Sequence, residues 1–309
     1  MGVRIGWLDL PGPVQSEIEK IIGGPVVEAV SQTGGFSPGT ADRVRTSDGT
    51  RAFVKAVAPH LNPDSPKLHR REATNAAALP AAVPAPRFLG CYDDGDWIAL
   101  VFEDVDGRHP HTPWLDDELD AVLVALKRTA EALTPVPLAL AHLPAAVSEY
   151  ETDFIAWERI RDDPPGDLDP WLADRLPALV DAGRRAVASL VGDTGVHVDV
   201  RADNLLIRPA GDVLIVDWPW LSRGPGWLDS TMLMASVARW GTIDLDPWLH
   251  RIAADFAVEV GTLRDLLVAL TGFFVDAARL PPVPGLPTVA EWRRANGAAL
   301  LAWMKTWHS

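Results

Sequence analysis

In the first hundred positions of the chain, the spacing of apolar residues changes from a helical period to short strand-like runs, and a second helical segment interrupts these runs. Within residues 1–30 a run of apolar residues recurs at helical intervals, with prolines before it and Gly23-Gly24 after it, which predicts an N-terminal helix. Short runs rich in Val, Ile and Phe then predict strands at residues 26–30, 43–46, 51–57, 85–90 and 97–102. Asp48-Gly49 separates two of these runs, and this dipeptide is typical of a β-hairpin.

A charged residue lies on an apolar stripe of the next predicted helix. This helix begins at Ser65-Pro66, a suitable N-cap followed by an N1 proline, and Glu72 shares one face with Leu68 and Ala76. A buried carboxylate is costly unless it is paired. Lys55 lies inside a strand made otherwise of Ala, Phe and Val, so we expect an ion pair between Lys55 and Glu72.

The pattern becomes helical after residue 106, where the predicted strands give way to longer periodic segments. Helices are predicted at 113–133, 147–161 and 171–191 and over most of 228–309, with a small hairpin at 205–207 and 213–216. The sequence therefore predicts an α+β protein of two lobes. Residues 1–106 form a strand-rich N-terminal lobe with one helix, and residues 107–309 form a larger, mainly helical C-terminal lobe.

Composition limits the class of protein. Of 309 residues, 48% are hydrophobic and 23% charged, as in soluble globular proteins, and no apolar run approaches the ~18 residues that span a bilayer. We see no signal peptide. A single cysteine, Cys91, excludes an internal disulfide and a cysteine-based zinc site, so a cytoplasmic location is expected.

The charge is acidic and uneven. The net charge is −14; residues 1–106 carry 14 acids and 10 bases, and residues 107–309 carry 28 acids and 18 bases. This balance argues against nucleic acid as a partner. Two interpretations stay open: an acidic cleft that attracts a cationic small molecule, or a solvated surface that aids solubility.

The chemistry concentrates in the segment from His197 to Asn204. Asp199 and Asn204 lie five residues apart there, and Asp217 follows at the end of the next apolar strand. Alone, this is a polar turn before a strand pair. Preceded by a strand lysine and a helix glutamate, it has the order of parts found in protein-kinase-like phosphotransferases, which position phosphates, neutralise charge and accept a hydroxyl proton.

Over roughly residues 30–235 the chain resembles the aminoglycoside phosphotransferase family. The matching segments are Gly34-Gly35, Arg71-Glu72-Ala73 with Val83–Arg87, His197-x-Asp199-x-x-x-x-Asn204, Val216-Asp217-Trp218, and Gly224 with Asp229. The resemblance implies a bilobal protein-kinase-like fold and an enzyme that uses ATP or GTP with Mg²⁺. It implies transfer of the γ-phosphate to a hydroxyl group of a small molecule.

The resemblance also implies roles for individual residues. Nucleotide binding is expected from Gly34, Gly35, Lys55, Glu72, Phe102, Glu103 and Val105. Asp199 is expected to accept or orient the substrate hydroxyl, and Asn204 and Asp217 to ligate Mg²⁺, while His197 supports the loop. The chain departs from the family at Val198, where glycine is usual, and at Arg201, where a second histidine is common. We expect Arg201 to contact the transferring phosphate.

The substrate is less well determined by the sequence. The acidic C-terminal lobe suits a cationic, aminoglycoside-like acceptor, and Asp153, Glu158 and Trp220 are candidates to bind it together with Asp199. A role in antibiotic resistance is the first hypothesis. The alternatives are a metabolic kinase for a sugar, amino-sugar or amino-alcohol, and a kinase-like binding module without catalysis. We expect no nucleic-acid or membrane partner, and a monomer or homodimer.

Overall fold

The computed structural model describes residues 4–32, 38–281 and 289–307. The described chain divides into two compact units. The first contains the described residues up to His109 and the segment Asp203–Trp220, and the second contains Pro110–Ala202 and the described residues from Leu221 onwards. Among the described residues, no helix is long and apolar enough to cross a membrane.

Short strands occur in both units. They are β1 (Val26–Ser31), β2 (Thr40–Thr46), β3 (Arg51–Val57), β4 (Phe88–Asp93), β5 (Ile98–Glu103), β6 (Thr194–Val196), β7 (Leu205–Ile207), β8 (Val213–Ile215) and β9 (Ser222–Gly224). The first five form an antiparallel sheet in the order β1-β2-β3-β5-β4. The other four form two antiparallel pairs, the hairpin β7–β8 in the first unit and β6 with β9 in the second.

Two helices, α1 (Gly12–Ile22) and α2 (Ser65–Ala78), pack in the first unit. Both lie where the apolar pattern predicts a helix, although the lobe as a whole was expected to have one. The apolar stripe of α1 lies in a cluster with the buried valines and alanines of β2, β3 and β5. The opposite face of the sheet, with Leu100 and Phe102, forms a second cluster with Ala73 of α2. Each face of the sheet is therefore covered by a helix, because both faces present apolar side chains.

The strand register places Lys55 on the α2 side of the sheet. Lys55 lies opposite Leu100, and Phe53 lies opposite Phe102. Directly opposed residues of antiparallel strands project to the same face, so Lys55 shares its face with Phe53 and Val57, as predicted from the alternation.

The hairpin β7–β8 belongs to the first unit, whereas the sequence predicts it within the C-terminal lobe, residues 107–309. Backbone hydrogen bonds account for the difference. The Ile215 N–H donates to the Pro84 carbonyl at 2.7 Å, and Arg108 and Ile207 exchange two bonds at 3.0 and 2.7 Å. These bonds join segments far apart in the chain, which a local pattern does not reveal.

The second unit is built from helices. They are α3 (Asp116–Ala132), α4 (Ala146–Phe154), α5 (Ala156–Asp162), α6 (Pro170–Ala173), α7 (Leu176–Ala188), α8 (Leu228–Ala238), α9 (Asp246–Asp255), α10 (Val260–Ala278) and α11 (Val289–Thr306). The predicted helices at 147–161 and 171–191 are each divided into two. At the first division Ile155 leaves the helical conformation, with φ −90° and ψ 18°.

Trp157 lies at the centre of this unit. Its indole N–H donates to the Val268 carbonyl of α10 at 2.8 Å, and the side chain is fully buried. A Cβ at Gly272 would lie 2.7 Å from the indole nitrogen, so α10 requires glycine there to approach the ring.

Candidate functional site

Three charged side chains from distant parts of the sequence meet in the first unit. The Lys55 ammonium of β3 donates to both oxygens of Glu72 on α2, at 2.8 and 3.0 Å, and to Oδ1 of Asp217 at 2.7 Å. The exposed fractions of these side chains are 18%, 2% and 33%. The ion pair predicted between Lys55 and Glu72 is thus present, and Asp217 joins it from the end of β8.

The cluster holds more negative than positive charge in a poorly solvated place. Burial alone would lower the pKa of Lys55, but the carboxylates of Asp217 and Glu72 outweigh it and raise that pKa. Burial raises the pKa of Glu72, and the negative charge of Asp217 adds to this effect while Lys55 opposes it. Lys55 is therefore protonated, and its ammonium group pairs with two carboxylates.

Helix α2 also holds the backbone that follows Asp217. The Asn75 side-chain amide donates to the Trp218 carbonyl at 2.8 Å, and the Trp218 backbone N–H donates to Glu72. Asn75 is buried and was missed by the sequence analysis, although its spacing of three residues from Glu72 places it on the same helical face. Trp218 is buried, with its indole N–H bonded to the Ile215 carbonyl at 2.9 Å, and is a core residue.

The predicted metal ligands Asn204 and Asp217 lie on two adjoining segments of the first unit. A backbone bond from the Val216 N–H to the Asn204 carbonyl, 3.0 Å long, joins these segments. Asp217 has a left-handed conformation, φ 69°, which aspartate tolerates better than most residues. A carboxylate and an amide oxygen are hard ligands of the kind Mg²⁺ prefers, so the residues fit that ion.

No cluster of three or more His, Cys, Asp or Glu side chains within residues 4–32, 38–281 and 289–307 could hold a metal ion alone. This finding agrees with the usual binding of Mg²⁺ by one or two protein groups together with substrate phosphates.

The segment at the end of β5, where nucleotide-binding residues are predicted, is bonded by two arginines. Arg43 and Arg51 bond the Asp104 carboxylate at 2.6 and 2.5 Å, and Arg43 also donates to the Val105 carbonyl at 3.3 Å. Phe102 is the last residue but one of β5, and the Lys55 ammonium lies 5.9 Å from the centre of the Phe102 ring.

A cavity of about 500 Å³ lies beside this segment. Its lining includes two of the predicted nucleotide-binding residues, Glu103 and Val105, but neither Lys55 nor Phe102. The other lining residues are Asp104, Asp106, Arg208, Pro209, Ala210, Asp212 and Leu214.

Two further predictions concern Gly34 with Gly35, and Trp220. Gly34 and Gly35 lie outside the described residues. Trp220 is half-buried, and the Arg71 guanidinium lies 5.7 Å from the centre of its ring. Trp220 therefore packs on a cation that the protein itself supplies.

The predicted catalytic residue Asp199 lies in the second unit and is paired with Arg201. The Nη1 atom of Arg201 donates to Oδ1 of Asp199 at 2.6 Å. The Asp199 N–H donates to Nδ1 of His197 at 3.2 Å, and His197 is fully buried. These contacts are those of a histidine that supports the loop.

Asp229 on α8 holds the backbone of the same loop through hydrogen bonds. Its two carboxylate oxygens accept the backbone N–H groups of His197 and Val198, each at 2.8 Å. Burial raises the pKa of Asp229, while His197 and these two backbone bonds oppose the rise. In the sequence, Asp229 stands out only as part of the resemblance, whereas in the structure its carboxylate holds the backbone of this loop.

Val198 has a left-handed backbone conformation, with φ 68°. This region is unfavourable for a β-branched side chain and costs glycine little. Glycine is usual at this position in the family that the sequence resembles, and the conformation explains that preference. Val198 is also buried, so its side chain gains packing that partly offsets the strain.

The two acidic substrate-binding candidates face arginines. Glu158 pairs with Arg184 at 2.7 Å. Asp153 is half-buried on α4, and burial raises its pKa while the positive charges of Arg159 and Arg293 oppose the rise. The protein therefore already supplies cations to both carboxylates.

Comparison with known proteins identifies the class. The chain belongs to the phosphotransferase enzyme family, whose sequence pattern matches residues 34–266. A search of curated proteins finds no match. The chain is 16% identical to the solved structure of an aminoglycoside phosphotransferase from Alicyclobacillus acidocaldarius, with 96% of each chain covered and a TM-score of 0.58.

Two other solved structures have the same fold. Spectinomycin phosphotransferase, solved with ADP and spectinomycin, is 13% identical over 96% of this chain and 98% of that one, with a TM-score of 0.61. Choline kinase from Streptococcus pneumoniae is 12% identical over 94% and 98%, with a TM-score of 0.59. The predicted protein-kinase-like α+β fold is confirmed. Membership of this family makes the protein a phosphotransferase.

Proposed function

We propose that the protein transfers the γ-phosphate of ATP, or of GTP, to a hydroxyl group of an amine-bearing small molecule of the aminoglycoside type. The observation that carries this proposal is the contact of Lys55 with both Glu72 and Asp217. A strand lysine, a helix glutamate and a strand-end aspartate are the parts with which kinase-like enzymes hold nucleotide phosphates and Mg²⁺. The proposed physiological role is antibiotic resistance.

Each residue has a task in this proposal. Lys55, oriented by Glu72, binds the α- and β-phosphates, and Asn204 and Asp217 are the ligands of Mg²⁺. Bound Mg²⁺ neutralises charge on the phosphate oxygens. Asp199 accepts a hydrogen bond from the acceptor hydroxyl and takes its proton. The hydroxyl oxygen bonds to the γ-phosphorus as the bond from that phosphorus to the bridging oxygen breaks, and ADP leaves.

An amine-bearing acceptor is supported by the charge of residues 107–309, which carry 28 acids and 18 bases. Protonated amines bind carboxylates through charge-assisted hydrogen bonds. Two proteins of the same fold were solved with spectinomycin and with hygromycin B. The single cysteine, Cys91, and the use of ATP favour the cytoplasm as the compartment.

A second candidate is a metabolic kinase for a sugar, amino-sugar or amino-alcohol. The pairing of Glu158 with Arg184 and the arginines around Asp153 favour it, because these carboxylates already have cationic neighbours. A polyamine would have to compete with those arginines, whereas an acceptor with one amine or none would not.

An acceptor screen separates the two candidates. The purified protein is incubated with ATP, Mg²⁺ and a panel of aminocyclitol antibiotics, simple sugars, amino-sugars and amino-alcohols, and ADP release is measured. Turnover of an aminocyclitol is the expected result. Turnover of simple sugars or amino-alcohols, with none of any aminocyclitol, would overturn the first candidate and support the second.

The same assay tests the proposed role of Asp199. Asp199→Asn is expected to lower kcat by roughly 10²–10⁴-fold, because the amide cannot take the proton, while ATP binding stays near that of the wild type. Asp181→Asn, an exposed position on α7, is the matched control and should keep full turnover. Unchanged turnover in Asp199→Asn would refute the assignment.

A further inference from the structure

The carboxylate of Asp199, which we propose as catalytic, is paired with Arg201, and Arg201 in turn contacts an aromatic ring. Asp199 and Arg201 form an ion pair 2.6 Å long, and their side chains are only 25% and 19% exposed. On its other side the Arg201 guanidinium lies over the indole ring of Trp292, with its central carbon 5.8 Å from the ring centre. Trp292 is on α11, far from the loop in sequence.

The ring of Trp292 packs against α10, and its backbone is bonded within α11. It packs edge-on against Phe274, with the ring centres 5.4 Å apart at an angle of 81°. The backbone carbonyl of Trp292 accepts a 2.7 Å bond from the side chain of Asn296, which is buried. The contact with Phe274 therefore restricts the orientation of the indole over which the guanidinium lies.

We propose that Trp292 is a positioning residue for phosphate transfer, because it holds the Arg201 guanidinium against the Asp199 carboxylate. This inference rests on the proposed function, in which Asp199 receives the hydroxyl proton. Trp292 touches no reacting atom in this scheme and acts only through Arg201.

The physical reason lies in the freedom of an arginine side chain. Arginine has many rotamers, and fixing one is entropically unfavourable unless other contacts restrict the side chain. Stacking on an aromatic face restricts the guanidinium plane and adds an electrostatic attraction to the ring. With Arg201 restricted, Asp199 keeps one orientation and a cation beside its charge. Without the indole, both side chains regain rotamers in which the carboxylate no longer faces the acceptor.

The test is a double-mutant cycle in steady-state kinetics with the acceptor found in the screen. Trp292→Leu is expected to lower kcat about tenfold, the effect of losing one such contact, with KM for ATP unchanged. The acidic limb of the kcat–pH profile should move to higher pH, because the carboxylate loses its nearby cation. Trp292→Phe, which keeps an aromatic face, should restore most of the activity.

The cycle distinguishes positioning from a structural role. Arg201→Ala and Arg201→Ala/Trp292→Leu should have the same kcat, since the indole has nothing to hold once the guanidinium is absent. Additive losses in the double variant would overturn the proposal, as would a wild-type kcat and pH profile in Trp292→Leu.

Trp303→Leu is the matched control. Trp303 lies on the same helix and makes a comparable edge-on pair with Trp307, with the ring centres 5.2 Å apart at 75°. This variant should keep the wild-type kcat and pH profile. An equal loss in Trp303→Leu would show that loosening α11 is sufficient, and would overturn the proposal. Full turnover by Asp199→Asn would instead overturn the function on which it rests.

Discussion

At the residue scale, Val198 is a β-branched residue in a backbone conformation that suits glycine. With φ 68°, it lies in the left-handed region, which costs roughly 1–2 kcal/mol for a residue with a Cβ. Two backbone bonds to the buried carboxylate of Asp229 hold the conformation. Strain of this kind next to a reactive group persists only where the surroundings determine the backbone. The loop before Asp199 is thus rigid because Asp229 fixes it.

We expect Val198→Gly to be more stable than Val198→Ala by about 1 kcal/mol, because both lose the valine packing and only alanine keeps the strain. The measurement is urea unfolding of both variants. Ala121→Gly, inside helix α3, is the control and should show the ordinary order, with glycine less stable than alanine by about 1 kcal/mol. If Val198→Ala were the more stable of the first pair, the left-handed conformation would be wrong.

At the scale of single elements, α2 is the helix that assembles the proposed nucleotide-binding part of the site. His69, Glu72 and Asn75 recur every three residues on its buried face, with 6%, 2% and 1% exposed. Glu72 binds Lys55, and Asn75 binds the backbone after Asp217. Nδ1 of His69 is 2.9 Å from the Ser65 carbonyl one turn earlier, and this bond requires Nδ1 to carry the proton. A helix with this many buried polar groups depends on tertiary partners for its stability.

His69 makes folding stability depend on pH. Burial lowers the pKa of His69 from 6.5 to about 4, and the charge of Lys55 adds to the effect. Since the folded-state pKa is lower than the unfolded one, the stabilisation is complete above pH 6.5 and is lost as pH falls toward 4. At 1.36 kcal/mol per pKa unit the loss is on the order of 3 kcal/mol. His69→Gln should remove this part of the pH dependence, as measured by chemical unfolding between pH 4 and 7.

His250 on α9 is the matched control for that experiment, because its Nδ1 lies 2.8 Å from the Asp246 carbonyl one turn earlier but its side chain is exposed. His250→Gln should keep the wild-type pH profile. The pKa of Glu72 is raised on folding, so Glu72 makes the folding stability rise as pH falls, which is opposite to the effect of His69. The pH dependence of each variant is therefore compared with that of the wild type. The same slope in His69→Gln and wild type would contradict the prediction.

At the scale of the whole molecule, nucleotide binding should appear as a gain in stability. A ligand that binds only the folded state at about 100 times its Kd stabilises it by roughly 2.7 kcal/mol. ATP with Mg²⁺ should therefore raise Tm more than ATP alone. Asp217→Asn should lose the Mg²⁺-dependent part, because a neutral amide is a weaker ligand for the ion than a carboxylate. Asp181→Asn should retain it. A full Mg²⁺-dependent rise in Asp217→Asn would exclude Asp217 as a ligand.

The sequence predicted the ion pair in the proposed nucleotide-binding part of the site. The alternation in β3 placed Lys55 on one face, the helical period placed Glu72 on an apolar stripe, and burial energetics required a partner for its charge. The structure contains that pair. These inferences worked because each depends on a local period and on the cost of burying a charge.

The residues that contact the loop around Asp199 were not predicted from the sequence as its neighbours. Asp229 accepts backbone hydrogen bonds from His197 and Val198, and the Arg201 guanidinium lies over the Trp292 ring. In each case the residues are far apart in sequence, and only helix packing brings them together. Glu158, predicted to bind substrate, pairs with Arg184 instead of standing alone. A pattern along the chain identifies which side chains are polar, but it does not identify their neighbours.

The sequence by itself determined the order of the elements, the face of the sheet that carries Lys55, and the family, because periodicity and motif spacing are local properties. The tertiary structure alone decided that Asp203–Trp220 joins the strand-rich unit and that Val198 is strained. It also decided that Arg201 lies between Asp199 and an aromatic ring. These features follow from hydrogen bonds and packing between segments far apart in the chain, which are set only when the whole core is assembled.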